Sequence, residues 1–284
     1  MYNYVMEYTH EEFIDYWLYN DNTIIIKPHF NADINLINFN NKIVSLIFTN
    51  YEKIEHVIKK INNNILHGVI CRFSEFNQSV DNLPITLQNL TFGHKFNQSV
   101  DNLPHNLTKL TFGNRFNCTV DNLPHTLLDL TFVCCFNQHI DNLPQNLTNL
   151  NLGWYFNKSV DNLPHGILNL TFGFNFNQPV DNLPNRIINL TFREGFNQSV
   201  NNLPYSLITL YFINESYYDD DNNQICKFDY LLNNLPNSIC EIMLPNGYNQ
   251  EMKIFPSSLK TIHCSSSYKF LDNFDNIENI YLNE

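Results

Sequence analysis

The chain has 284 residues, 43% hydrophobic and only 15% charged, with a formal charge of −12 from 16 Lys and Arg against 28 Asp and Glu. That length holds one elongated domain or two compact ones, with enough apolar residues for a sizeable core. The acidic balance, without any basic stripe, excludes nucleic acid and anionic membrane surfaces as partners, because both require clustered Lys and Arg.

Residues 1–22 begin MYNYVMEYTHEEF, which has neither the basic nor the apolar region of a secretory leader. Thr9 and Glu12 have the spacing of a capping box, and Phe13, Ile14, Trp17 and Leu18 follow. The pattern predicts one short helix, an N-terminal cap for a stack of repeats.

Residues 23–75 read as degenerate repeats. Ile24 and Ile26 precede Phe30-Asn31 and Ile34; Ile43, Leu46 and Phe48 form a second strand unit; Leu66, Val69 and Cys71 form a third.

From 76 to 214 the repeat is regular. Phe76, Phe96, Phe116, Phe136, Phe156, Phe176 and Phe196 fall 20 residues apart without a slip. Each unit is numbered from that Phe. Position 2 is then Asn, position 5 Val or Ile, positions 8 and 9 Leu-Pro, position 12 Leu or Ile, position 15 Leu and position 17 Phe or Leu. Positions 15 to 17 alternate, as in Leu90-Thr91-Phe92, which is the period of a strand with one buried face. Pro at position 9 forbids a helix through the remainder and holds the residue before it extended. One such unit cannot bury its apolar side chains alone. Stacked neighbours cover it, their strands pair in parallel, and like side chains form columns.

Residues 215–227 are an acidic insertion containing Tyr217-Tyr218-Asp219-Asp220-Asp221, where a solvated loop is the ordinary outcome and a binding loop the sharper one. From 228 to 284 degenerate repeats resume: Phe228, Leu235-Pro236, Ile239, Ile242 and Leu244; then Tyr248, Met252, Phe255-Pro256, Leu259, Ile262 and Cys264; then Ile277, Ile280 and Leu282. The expected fold is therefore mainly β, a leucine-rich-repeat-like solenoid of about 13 turns, with one short parallel strand per 20-residue repeat and an N-terminal helical cap.

Several constellations could carry chemistry. Cys118, Cys134, Cys135 and His139 fall on adjacent turns, but no CxxC pair supports a tetrahedral zinc site, and incidental thiols are the plainer reading. Asp81, Asp101, Asp121, Asp141, Asp161 and Asp181 occupy position 6, either as a cation-binding ladder or bonded within their own turns. His105, His125 and His165 at position 10 follow Pro at a permissive site. Glycines 93, 113, 153 and 173 at position 18 read as servants of the turn after the strand. No nucleophile elbow, phosphate loop or HExxH is present, so no enzyme and no cofactor is expected.

What remains is a surface. Strand residues facing away from the core include Asn89, Lys109, Asp129, Asn149, Asn169 and Asn189 at position 14 and Tyr211 at position 16. Trp154 and Phe174 at position 19, with Tyr155 beside them, form an aromatic cluster, either of the kind that anchors protein interfaces or tucked over the sheet edge as local packing. These ten residues are the candidate protein-binding site. The seven cysteines follow no disulfide framework, and no apolar run reaches the roughly 18 residues that span a bilayer. The reading is a cytoplasmic monomer away from the membrane, with protein partners.

The repeat FNQSVDNLPxxLxxLTFG resembles the FNIP repeat, a leucine-rich-repeat relative of slime moulds and giant amoebal viruses. The resemblance covers at least residues 76–212, with weaker copies on both sides. It implies an arc with the strands on its concave side, and it implies no activity. Some proteins with such repeats resemble ubiquitin-ligase adaptors that carry an N-terminal F-box. Residues 1–42 show no match to that three-helix pattern, so the alternative to a plain interaction scaffold is a cullin-type ligase adaptor with a degenerate F-box. Bacterial effectors with LPX repeats are similar in period.

Overall fold

A computed structural model describes residues 16–20, 23–26, 30–31, 43, 45–48, 74–213 and 228–283. It is a parallel β-solenoid of roughly 10 turns with ~20-residue repeats. The chain divides into two units, residues 1–138 with 142–147, and residues 139–141 with 148–284.

In the first unit the strands are β1 (Tyr16–Asn20), β2 (Thr23–Ile26), β3 (Ser45–Phe48), β4 (Asn89–Thr91), β5 (Lys109–Thr111) and β6 (Asp129–Thr131), adjacent in chain order. In the second they are β7 (Asn149–Asn151), β8 (Asn169–Thr171), β9 (Asn189–Arg193), β10 (Thr209–Ile213), β11 (Glu241–Met243), β12 (Thr261–Ser265) and β13 (Asn279–Asn283), again in chain order. Within each unit the pairings run without offset: Leu90 on Leu110 on Leu130, and Leu150 on Leu170 on Leu190 on Leu210 on Ile242 on Ile262 on Ile280. The equal 20-residue repeat makes every position meet its own kind.

Each turn is closed in the same way. The N–H of position 12 donates to the carbonyl of the position-9 proline, as in Leu87 to Pro84 at 3.0 Å and Leu207 to Pro204 at 3.1 Å. Proline thus starts a tight turn that aims positions 8 and 12 inward. Leu83, Leu87, Leu90 and Phe92 are buried, and so are their counterparts in each regular copy. The two Phe positions interleave. Phe92 lies 3.7 Å from Phe96, Phe112 3.7 Å from Phe116, and Phe192 3.8 Å from Phe196, with planes within 12° of parallel. Stacked rings at this spacing fill the core with contact on both faces.

Asn at position 2 has a specific duty. Its side-chain carbonyl accepts the backbone N–H of the same position one turn on: Asn97 to Asn77 at 2.8 Å, Asn117 to Asn97 at 2.8 Å, Asn197 to Asn177 at 2.8 Å. No strand reaches this part of the return, so the side chain supplies the acceptor that a ladder would otherwise provide.

Position-18 glycine serves close approach. A Cβ on Gly113 would lie 1.9 Å from the Gly93 carbonyl oxygen, and one on Gly173 2.0 Å from that of Gly153. Among the described residues the positive-φ glycine is Gly247, so the turn conformation itself does not demand glycine at position 18.

One expectation is corrected. The cap helix does not run through Tyr16–Asn20, which is a strand paired antiparallel with β2, setting Trp17 opposite Ile25. A helix cannot satisfy the open N–H and C=O groups of a sheet edge, whereas a strand rich in Tyr, Trp and Leu can. Thr9, Glu12, Phe13 and Ile14 lie outside the described residues. Of the 13 turns expected, the one built on Leu66, Val69 and Cys71 lies outside the described residues. β3 pairs directly with β4, Phe48 stacks on Phe76 at 4.2 Å, and Asn31 accepts the Asn77 N–H at 2.9 Å. Leu66, Val69 and Cys71, like Ile34 and the insertion 215–227, are outside the described residues.

Candidate functional site

The outward face of the sheet carries positions 14 and 16. In the first unit Asn89 donates to the Ser45 hydroxyl at 3.1 Å, and Lys109 and Asp129 follow in register, half-buried. In the second unit the amides join. Thr209 donates to Asn189 at 2.7 Å, Asn189 to Asn169 at 2.5 Å, and Asn169 to Asn149 at 2.5 Å. This column is a polar ladder whose members are engaged with one another, which makes it a flat, orienting surface without a deep anchor.

The position-19 aromatics are brought together by the glycines before them. Close approach at Gly153 and Gly173 lets Asn175 N–H donate to the Trp154 carbonyl at 2.9 Å. The Trp154 and Phe174 rings then stack at 4.8 Å and 10°. Both are half-buried, and Tyr155 is 48% exposed. The stack leaves rigid ring area facing solvent at low entropic cost, the physical basis of an aromatic anchor.

A second cluster, on β10 to β13, joins Tyr211 to three residues that sequence reading did not single out. Glu241 Oε1 accepts from the Tyr211 hydroxyl at 2.7 Å and meets His263 Nε2 at 2.8 Å. The His263 ring stacks on Tyr281 at 4.8 Å and 15°, and Tyr211 meets His263 edge-on at 6.4 Å. Burial first, then the bond to Glu241, push the Tyr211 hydroxyl up to about 12. A signal did exist for all three. Counted from Ile242, Ile262 and Ile280 as position 15, Glu241 falls at position 14 and His263 and Tyr281 at position 16, but the degenerate repeats hide that register.

The remaining constellations are structural. Each position-6 Asp accepts from the position-7 Asn of the next turn, as in Asn102 to Asp81 at 3.0 Å and Asn182 to Asp161 at 3.1 Å. Ser79 donates to Asp81 at 2.6 Å, and these two bonds hold the Asp81 carboxyl below its ordinary value. The partner is thus a neighbouring turn as well as the carboxylate's own. Cys118 donates to Asn97, and burial raises its thiol; Cys134 is pushed up to about 11 by burial and by Cys135 beside it. His105, His125 and His165 are exposed. Among the described residues no three His, Cys, Asp or Glu side chains converge to hold a metal, and no helix is long and apolar enough to cross a membrane.

The model of the family described as FNIP Repeat matches residues 96–135 and 136–175. Residues 96–175 therefore match the FNIP repeat. Among solved structures, this chain is similar to CroV588, described as a novel circular LRR protein, with 29% identity and a TM-score of 0.67 over 92% of this chain and 43% of that one. It therefore spans less than half the length of CroV588. YopM from Yersinia enterocolitica WA-314 is also similar, with 14% identity and a TM-score of 0.41 over 87% of this chain and 52% of that one. No curated protein matches.

Proposed function

We propose that this chain is a non-enzymatic protein-interaction scaffold of the cytoplasm, where a reducing medium keeps its thiols free. The observation that carries the reading is the Trp154–Phe174 stack with Tyr155 exposed beside it. Aromatic rings held rigid on a solenoid offer a large contact area with little conformational entropy left to lose on binding. The asparagine ladder orients a partner along the sheet, and the Tyr211 cluster adds a charge-bearing patch. The likeness to an LRR protein supports the same reading.

The ligase-adaptor alternative loses support within residues 1–42. β1 and β2 are strands where an F-box would place helices.

The test is capture of partners from amoebal lysate with the tagged chain and with a Trp154→Ser, Phe174→Ser variant, partners being identified by mass spectrometry. The variant should lose the partners that the chain enriches, while keeping its circular dichroism spectrum. Retention of every partner by the variant would remove the aromatic stack from the interface.

A further inference from the structure

The outward face of β10 to β12 gathers metal-binding side chains from three successive turns. Strand alternation buries Leu210, Ile242 and Ile262 and leaves their neighbours half-buried on the opposite face. In register, position 16 of these turns reads Tyr211, Met243 and His263. Tyr211 and His263 are therefore two strands apart, with Met243 between them on the same face. Glu241, at position 14 of the middle strand, reaches both. Its Oε1 accepts from the Tyr211 hydroxyl at 2.7 Å and lies 2.8 Å from His263 Nε2. Tyr281 stacks on the imidazole at 4.8 Å and fixes its plane. β10, β11 and β12 contain no Lys or Arg, so no fixed cation of these strands neutralises the carboxylate.

The donor set and its spacing indicate which ion fits. An imidazole nitrogen beside a carboxylate oxygen suits late divalent transition metals, and a thioether is a soft ligand that magnesium and calcium do not use. Such ions hold N and O ligands at about 2.0–2.1 Å. Two ligands at a right angle then stand about 2.9 Å apart, and two at the tetrahedral angle about 3.3 Å. The observed 2.8 Å between Oε1 and Nε2 matches the right angle. Tetragonal N,O geometry is that of copper(II) and nickel(II), whereas structural zinc is tetrahedral. The Tyr211 hydroxyl, bonded to the same oxygen, orients the carboxylate from outside the coordination sphere. Both ligands stand on paired strands of one sheet, so little ordering is left to be done on binding.

We propose that Glu241 Oε1 and His263 Nε2 bind one copper(II) or nickel(II) ion, with the Met243 sulfur as a weak axial ligand. The imidazole presents the Nε2 lone pair to the ion and keeps its proton on Nδ1, and solvent completes the coordination. The site is separate from the Trp154–Phe174 stack and does not depend on it.

Calorimetric titration of the full chain with copper(II) chloride, and separately with nickel(II) chloride, tests this. The expected result is a one-to-one tight phase ahead of weaker binding at exposed histidines such as His105, His125 and His165. Glu241→Gln and His263→Phe should each weaken the tight phase by about tenfold or more at an unchanged thermal midpoint, and Met243→Leu by less. The electron paramagnetic resonance spectrum of the first copper equivalent should show an imidazole nitrogen ligand that His263→Phe removes. Both ligand substitutions lie on the outward face and act on different atoms, so failure of one to fold leaves the other to decide. A wild-type chain without the tight phase, or a tight phase unchanged in whichever variants fold, leaves only an adventitious ion on surface histidines and overturns the proposal.

Discussion

The second unit holds two versions of one turn. In the regular version, residues 148–213, phenylalanine fills position 1 throughout and position 17 at Phe172, Phe192 and Phe212, with Leu152 as the exception. Phe176 stacks on Phe196 at 6.0 Å and 4°, and Phe172 on Phe192 at 5.3 Å and 7°. In the degenerate version, residues 228–283, position 1 becomes Tyr248 and Tyr268, and position 17 becomes Leu244, Cys264 and Leu282. The aromatic zipper thus thins to one column. The tyrosines compensate by reaching back: Tyr248 hydroxyl donates to the Tyr230 carbonyl at 3.1 Å, and Tyr268 hydroxyl to the Gln250 carbonyl at 2.8 Å. Regular turns cohere by like-on-like stacking; the later turns rely more on directed hydrogen bonds and so acquire a dependence on protonation.

The largest effect that separates the two versions is loss of a ring. Phe192 is fully buried between Phe172, Phe196 and Phe212. Phe192→Ala should cost about 3–5 kcal/mol in urea unfolding, with the cavity left by the ring. The equivalent Cys264→Ala removes one sulfur and should cost less than a third of that. Equal losses would mean that the zipper does not distinguish the turns.

A smaller effect is expected at the asparagine column. Asn177→Ala deprives Asn197 N–H of its acceptor and should cost about 1–3 kcal/mol, the penalty of an unsatisfied donor. Asn249, at the same position among the later turns and exposed, should tolerate Ala nearly without loss. Thermal midpoints of the two variants give the comparison directly.

The smallest effect is alkaline. Tyr211 is raised to about 12, and burial also raises Tyr248 and Tyr268 above their ordinary range. In the unfolded chain these hydroxyls titrate near 10. A raised folded value means that the neutral phenol favours the fold. The contribution is complete below about pH 10 and is lost as pH rises through the folded value, near 12 for Tyr211. Melting followed between those limits should show stability falling as pH rises, and Tyr248→Phe with Tyr268→Phe should flatten the part of the profile that residues 228–283 contribute. A pH response that the double variant leaves unchanged would place its origin elsewhere.

The sequence alone determined the repeat, its short strand around positions 15 to 17, its inward Phe, Val and Leu, and its regular span. A strict 20-residue period leaves one way for equal turns to stack, with each residue on its own kind. Trp154 and Phe174 were legible for the same reason, being equivalent positions one turn apart. Tertiary structure alone decided the rest. Phe48 to Phe76 takes 28 residues where Phe92 to Phe96 takes four, so only pairing shows that β3 meets β4. The β1 hairpin answered the needs of a sheet edge, which no local pattern encodes. Glu241 found Tyr211 and His263 only once β11 had stacked between β10 and β12, because a hydrogen bond between residues 22 or 30 apart depends on which turns become neighbours.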